Sequence, residues 1–410
     1  MKRQRRLWWL LSGSLAAAVA LAPAPAAAQA DQAQDPDRPT LRIGPFEFKP
    51  RLLIGNIGID YNVFNDNDNP QQDFTFSVAP DVEVSVHPGR LRAAVSSGSE
   101  FVYFQKFTSE RSVNRNFGAR LDLDLTFLQP FAAMNWAHTS ARSNSEIDIR
   151  ARHHPRTYSA GTRLKLASRT SMTFTARQST ESYDEEFEYR GVPLSRLLDN
   201  ETMSYEGALS FELTPFTTLS LGTATEQLRF DQAPLRNANS LRITPTVTFS
   251  PLGQITGTGS LGYRRFDGLD PALADYSGLV ASGSIALLLG GRYKLETLFT
   301  RDVRYSHEED LPYYVLTGGR GTLAVQTFAA LDLRITGGRE SLDYRALAGQ
   351  PDPGKDRMRL YGGGFGYRIA NRVRVVLEAE FWRRTSERDQ EREYRNKRIV
   401  MSVYWGALNR

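Results

Sequence analysis

The 410-residue chain contains no cysteine. Zinc–thiolate sites, iron–sulfur clusters, cysteine nucleophiles and an N-terminal lipidated cysteine are therefore excluded, and an exported fold would have to hold without disulfides. Histidine is scarce, at five residues: His87, His138, His153, His154 and His307. Long apolar runs are also missing. Only Leu7 to Ala22 forms a long, largely apolar stretch, and no other run approaches the ~20 residues of a spanning helix. A bias of charge is absent once the N-terminus is set aside. Lys2, Arg3, Arg5 and Arg6 precede the apolar stretch, and Ala28-Gln29-Ala30 is a small-x-small cleavage site before Asp31. Residues 1–30 thus read as a secretory signal peptide, the alternative being an uncleaved anchor. The full chain has 51 Lys+Arg and 46 Asp+Glu. Removing the four basic signal residues leaves 47 − 46 = +1. The basic character belongs to the export signal and implies no nucleic-acid partner.

One texture fills what remains. From about Pro50 to Trp405, apolar and polar residues alternate with period two. Val113, Phe117, Ala119, Leu121, Leu123, Leu125 and Phe127 take one parity; Asn114, Asn116, Arg120, Asp122, Asp124 and Thr126 take the other. Successive strand side chains point to opposite faces, so each segment has one apolar and one polar face. The segments commonly run eleven to fifteen residues, against ~5–6 in soluble proteins, and ~9–11 suffice to cross a bilayer when tilted. Short turns rich in Pro, Gly and Asn, such as His87-Pro88-Gly89, Thr214-Pro215 and Gly290-Gly291, interleave with longer polar loops, such as Ser143–Pro155 and Asp184–Asn200.

These features predict an all-β fold. It is a transmembrane antiparallel up-and-down β-barrel of about 18 strands (16–20), with both termini periplasmic and the long loops outside. The predicted organisation is a signal peptide over 1–30, a short periplasmic tail over 31–49 and the barrel over 50–406. A barrel must close, because lipid cannot satisfy a strand edge. Phe127, Phe131, Phe216, Tyr293, Phe328, Tyr367, Tyr404 and Trp405 lie near strand ends, as interfacial girdles require. A soluble propeller would need a blade repeat of ~40–50 residues, and no such period recurs.

The stretch Asn56-Ile57-Gly58-Ile59-Asp60-Tyr61-Asn62-Val63-Phe64, with Asp73-Phe74 and Val78-Ala79-Pro80 after it, resembles the putative β-barrel porin 2 family of outer-membrane proteins. Tyr158 to Leu166, leading into Ser168-Arg169-Thr170, is similar to the same family. The resemblance implies an outer-membrane barrel without a catalytic signature, and some barrels of that kind serve the release of surface polysaccharide. One departure is that Tyr404-Trp405 is followed by Gly406 to Arg410 rather than ending the chain.

The polar parity carries both signs of charge. Arg90, Arg92, Arg120, Asp122, Asp124, Arg163, Lys165, Arg177, Glu206, Arg242, Lys294, Glu296, Arg334, Arg374, Glu378 and Glu380 are the candidate pore-lining residues. Opposed charges can select polar solutes in a water-filled lumen, or they can pair across strands and hold the wall together. The loop carrying Asp184, Glu185, Glu186 and Glu188 either folds inward as a constriction or caps the barrel. Asn65 to Asn69 offers oxygen ligands but lacks the Gly and closing Glu of an EF-hand, so no metal is expected there. The His153-His154 pair lacks a third ligand.

The functional expectation is therefore a channel for polar solutes. Alternatives are the barrel of an exopolysaccharide or surface-polysaccharide export system and, third, an outer-membrane hydrolase built around His138. No cofactor or catalytic residue is expected. The expected partners are outer-membrane lipid and lipopolysaccharide and, in the export reading, periplasmic polysaccharide-export proteins. Nothing in the sequence sets the oligomeric state.

Overall fold

The computed structural model describes residues 40–142, 144–250, 252–328, 330–370 and 373–406. The expected signal peptide and the first part of the expected tail lie outside the described residues. The main sheet has twenty strands, of which eighteen form a closed antiparallel barrel. In chain order the barrel strands are β1 Phe46–Asp60, β2 Asp73–Val86, β3 Leu91–Phe104, β4 Ser112–Leu123, β5 Leu128–Ser140 and β6 Arg156–Ala167. Next come β7 Thr170–Glu181, β8 Asn200–Thr214, β9 Thr217–Phe230, β10 Ala238–Phe249, β11 Ile255–Gly268 and β12 Tyr276–Leu289. The last six are β13 Tyr293–Tyr305, β14 Tyr313–Gln326, β15 Leu331–Arg345, β16 Lys355–Ala370, β17 Val373–Ser386 and β18 Tyr394–Trp405. Each pairs with its chain neighbours, and β18 pairs with β1 from Leu52↔Trp405 to Asp60↔Arg398.

Connections alternate as the texture implies. Short turns such as 87–90, 168–169 and 215–216 lie at one end; loops such as 61–72, 141–155 and 182–199 lie at the other. β1 begins and β18 ends at the short-turn end. A circular ring of eighteen strands at ~4.8 Å spacing and ~40° tilt would measure about 36 Å across the wall.

The expected tail differs in part. Leu41–Ile43 folds back on Phe46–Phe48, and β1 begins at Phe46, not near Pro50. Gly44 makes the turn at φ 58°, a conformation that costs glycine little. Lys49 already faces inward and pairs with Glu83 at 3.0 Å.

The apolar parity faces outward. Leu209, Leu221, Leu261, Leu279 and Ile335 are all exposed on the wall, as a lipid-facing surface requires. Phe127, Phe216, Tyr293, Phe328, Tyr367 and Trp405 ring the short-turn end with their side chains exposed. Phe131 and Tyr404 do not join them. Phe131 stands opposite the inward Asp122 and fills the space above Gly161, where an added Cβ would meet its Cζ at 2.6 Å. Tyr404 stands opposite the inward Arg374. Strand parity, rather than nearness to a strand end, decides which face an aromatic takes.

The seam between β1 and β18 contains a β-bulge. Asn56 takes φ 54°, and the register shifts between Ile54 and Ile57. The Asn56 side-chain oxygen accepts from Arg398 at 3.1 Å, and its carbonyl accepts from the Thr75 hydroxyl at 3.1 Å. At Gly58 the backbone of Ile399 comes so close that an added Cβ would lie 2.0 Å from its carbonyl oxygen.

Candidate functional site

The inward parity brings charges from neighbouring strands into contact. Arg242 on β10 and Arg264 on β11 face Glu226 on β9 and Asp302 on β13. Arg264 reaches Glu226 and Asp302 at 2.7 Å each, and Arg242 reaches Asp302 at 3.5 Å and also bonds Glu226. All four side chains are mostly buried, between 9% and 17% exposed. Arg177, itself buried, lies beside this square on β7, opposite Ser204. A second group spans β13 to β17. Arg374 binds Asp332 at 2.6 Å, and Arg334 binds Asp332 at 3.5 Å and Glu378 at 3.3 Å. Arg320 pairs with Glu380 at 3.0 Å, and Lys294 with Glu296 at 2.8 Å. Ion pairs so withdrawn from water are held by geometry and by further hydrogen bonds, or their desolvation would outweigh their attraction.

The opposite bank is more open. Arg92, Arg163 and Lys165 share the inward parity near the short-turn end, and Arg163 and Lys165 stay exposed. Arg120 pairs with Asp122 at 2.6 Å and lies over the Phe131 ring. Glu206 accepts from Ser204 at 3.2 Å. Arg90 and Asp124 are in short turns at the rim, not on the wall, because β3 starts at Leu91 and β4 stops at Leu123.

The loop end holds what the sequence did not reveal. The segment from Ala141 to Ala151 leaves β5 and crosses the mouth. Its far contacts lie between β13 and β14, eight strands round a ring of eighteen from where it starts. Asn144 turns the chain by accepting from the amides of Glu146 and Ile147 at 2.8 and 2.9 Å. Glu146 is fully buried. Its carboxylate accepts from the Ser306 hydroxyl at 2.6 Å and the His307 amide at 3.2 Å, and His307 Nδ1 stands 3.3 Å away. Burial alone would push this carboxyl up, but His307, Arg392 and Ser306 together hold it down at about 2.

Long side chains from the far wall complete the clamp. Arg384 on β17 donates to the carbonyls of Ser145 and Glu146 and pairs with Asp148 at 3.0 Å and Asp356 at 2.5 Å. Arg392 donates to the Glu146 carbonyl at 3.2 Å and pairs with Asp356 at 3.1 Å and Glu308 at 2.8 Å. The Ser145 hydroxyl reaches Glu340 on β15 at 2.5 Å. From the near side, Arg142 and Asn65 fix the backbone and side chain of Asp148 at 2.7 and 3.0 Å.

The loop 182–199 lies over this segment and meets it with its apolar half. Leu194, Leu197 and Leu198, on the short helix Leu194–Leu198, bury against Ile147, Ala151 and Tyr183. The acidic run stays outside. Asp184 pairs with Arg152 and His154 at 3.0 and 2.8 Å, and Glu186 pairs with Arg152 at 3.2 Å while remaining exposed. Glu185 is exposed, and Glu188 opens a two-residue hairpin strand. Burying four adjacent carboxylates would be costly, whereas three leucines gain by leaving water. Arg190 spans to Asp389 and Glu391 in the β17–β18 loop, again across the mouth.

Other candidates have simpler explanations. The ligand atoms of Glu146, His307 and Glu308 gather closely enough for a metal ion. Glu308, however, is gripped by Arg388 and Arg392, and Arg236 donates to its carbonyl, so guanidinium groups already fill the cation positions. In the loop after Asn65, Asp66 accepts from the amides of Asp68 and Asn69, an Asx turn. At the rim, His138 Nδ1 lies 3.1 Å from His154 Nδ1, and His154 Nε2 is 2.8 Å from Asp184. Among the described residues no serine or threonine hydroxyl bonds either ring, so a nucleophile is missing from this row.

A family model described as putative beta-barrel porin 2 matches residues 37–405. No curated protein matches the chain in sequence. Among solved structures, OccK2 (OpdF) of Pseudomonas aeruginosa, in complex with glucuronate, is similar at TM-score 0.52 and 11% identity, over 88% of this chain and 98% of that one. OpdK of the same organism, with vanillate, gives TM-score 0.48 and 10% identity over 87% and 98%. The siderophore receptor PirA, also from P. aeruginosa, gives 0.40 and 9% over 87% and 80%. The OccK2 likeness shows the shared barrel fold.

Proposed function

The chain belongs to the putative beta-barrel porin 2 family and is an outer-membrane barrel, and from that premise we propose that it is a channel for small polar solutes with a narrowed mouth. In this reading the short turns face the periplasm and the crossed loop end faces outward. One observation carries it: the inward parity of the wall bears charges of both signs, and the segment Ala141–Ala151 is clamped across the loop end. The wall charges pair off, so a solute meets a polar surface without a strong net field. Passage is then limited by the space beside the crossing segment, and the selection is for small polar molecules over bulky ones. Porin-like descent and the absence of a nucleophile in the rim histidine row favour transport over hydrolysis.

The test is liposome swelling with a graded series of uncharged sugars and with matched anionic and cationic amino acids. Rapid entry of the small members with a sharp size cut-off and little charge preference is the expected result. A tight liposome for every solute would sink the diffusion channel. That outcome would favour the second reading, an export barrel opened by periplasmic polysaccharide-export proteins, which draws its support from the buried ion pairs that bridge the mouth.

A further inference from the structure

The outer wall carries a row of cations that the channel reading leaves unused. Arg339 on β15 stands directly opposite Arg359 on β16. Arg359 stands opposite Arg383 on β17, and Arg383 opposite Arg395 on β18. Four arginines thus lie side by side across four neighbouring strands. All four are exposed and take the outward parity, the same face as Ile335, Tyr361 and Phe381. With ~4.8 Å between strands the row is about 14 Å long.

Like charges directly opposite one another destabilise a sheet. Elsewhere on the outside at this end, single arginines such as Arg115 and Arg156 stand alone, and others have partners within the chain. Arg265 pairs with Asp267 at 2.9 Å, Arg345 with Asp343 at 2.8 Å and Arg357 with Glu387 at 2.5 Å. Among the described residues, none of the four guanidinium groups in the row has a hydrogen bond or an ion pair. The row also has a fixed height. Arg359 is two residues nearer the loop end than Tyr361, and Arg383 two nearer than Phe381, both aromatics exposed on the outer wall. It therefore stands just above the apolar band, at headgroup level, where water is depleted and an unpaired cation gains most from an anion.

We infer that Arg339, Arg359, Arg383 and Arg395 form a docking row for the phosphate groups of a phosphorylated glycolipid of the outer leaflet, the lipid A part of lipopolysaccharide. Guanidinium forks match phosphate oxygens two at a time, and a row of this length can engage more than one phosphate of a single headgroup. A second copy of the chain offers less. Outward wall carboxylates such as Asp267 and Asp343 are already paired within their own wall. The assignment rests on the loops facing outward, but the binding itself can be read in detergent, where orientation plays no part.

The experiment is native mass spectrometry of the folded, detergent-solubilised full chain with added lipid A. The probes are the diphosphorylated form, its dephosphorylated counterpart and phosphatidylethanolamine. The variants are Arg339→Gln, Arg359→Gln, Arg383→Gln and Arg395→Gln combined, and the same four positions changed to Lys. Heat-modifiable gel mobility checks folding. The expected result is retention of diphosphorylated lipid A at least about tenfold above the other two lipids, lost in the Gln variant and partly restored by Lys. If the fourfold Gln variant does not fold, Arg359→Gln with Arg383→Gln gives the same readout as a partial loss. Equal retention by the wild type of phosphorylated and dephosphorylated lipid, or full retention by a folded Gln variant, overturns the proposal. So does complete displacement by inorganic phosphate at equal concentration, which would make the row a free-anion site. Dimers that vanish in the Gln variant while lipid retention is unchanged would assign it to a second copy.

Discussion

Glu146→Gln tests the crossing segment most directly. The carboxylate is fully buried and holds Ser306, the His307 amide and the His307 ring. The amide keeps a carbonyl acceptor for the Ser306 hydroxyl but removes the charge beside the His307 ring, while Arg392 keeps Asp356 and Glu308. Removing one partner from a buried ionic network costs about 3–5 kcal/mol, and the retained acceptor argues for the lower end. That cost falls on the bridged state alone, because an undocked segment would be solvated. About 3 kcal/mol shifts the bridged-to-released ratio about 150-fold. In a planar bilayer at neutral pH, single channels of the variant should open more often, or to a larger level, than wild type. A variant with residues 144–150 replaced by a Gly/Ser linker should show the upper limit. If both variants conduct like the wild type, the segment does not control the mouth and the reasoning fails. If only the linker variant conducts more, the bridge holds without Glu146, and the clamp then rests on Arg384 and Asp356.

Acidification should act on the mouth in two directions. The Glu146 carboxyl is held at about 2, below its ordinary 4.5, so its contribution is full above pH 4.5 and is lost as pH falls toward 2. Burial first, and then Asp231 and Glu185, push Asp199 under the outer loop up to about 6 from 3.8. Its contribution is therefore full below pH 3.8 and is lost as pH rises through 6. Wild-type conductance should be lowest near pH 4–5, Glu146→Gln should flatten the acid limb, and a monotonic profile would count against this pairing. Arg264→Gln leaves Glu226 and Asp302 to share Arg242. It should destabilise the barrel by about 3 kcal/mol in urea unfolding and raise cation preference, and unchanged selectivity would mean the square lies off the solute path. Gly58→Val puts side-chain atoms into the Ile399 backbone and should cut the yield of heat-modifiable barrel, whereas Gly44→Ala, in the hairpin at the short-turn end, meets open space and carries only the ~1–2 kcal/mol of a left-handed backbone, so the yield should fall far less.

Much of this architecture was legible because a lipid-facing wall imposes a strict period of two over a dozen residues at a time. In β8, Met203, Tyr205, Leu209 and Phe211 could only share a face. The alternation of turn and loop then counts the strands. The start of β1 was less legible, since Lys49 and Pro50 look like a polar boundary until Glu83 is seen to receive the lysine. Single aromatics mislead for a related reason. Position along the strand suggests a girdle role for Phe131 and Tyr404, while their cross-strand neighbours Asp122 and Arg374 fix the face. The crossing segment was hidden because its partners are remote. Ser306 is 160 residues from Glu146, and Arg392 is 246 away. The one local sign was a pair of isoleucines, Ile147 and Ile149, in an otherwise polar loop. In the longer loop the acidic cluster is the conspicuous feature, although the adjacent Leu194, Leu197 and Leu198 are the residues with reason to leave water.

The bulged seam between β1 and β18 also has a consequence in time. Every other barrel ladder joins neighbours in sequence and can form as the chain emerges, but Asn56 and Arg398 are 342 positions apart. Closure is thus the slowest contact to find and the last to be made. Until it is made, two full-length strands present open hydrogen-bonding edges to any other chain. Asn56, through its left-handed backbone, breaks the regularity of one of those edges and makes it a poor template for a wrong strand. A local irregularity at the seam would then protect the unfinished barrel from aggregation as much as it joins the finished one.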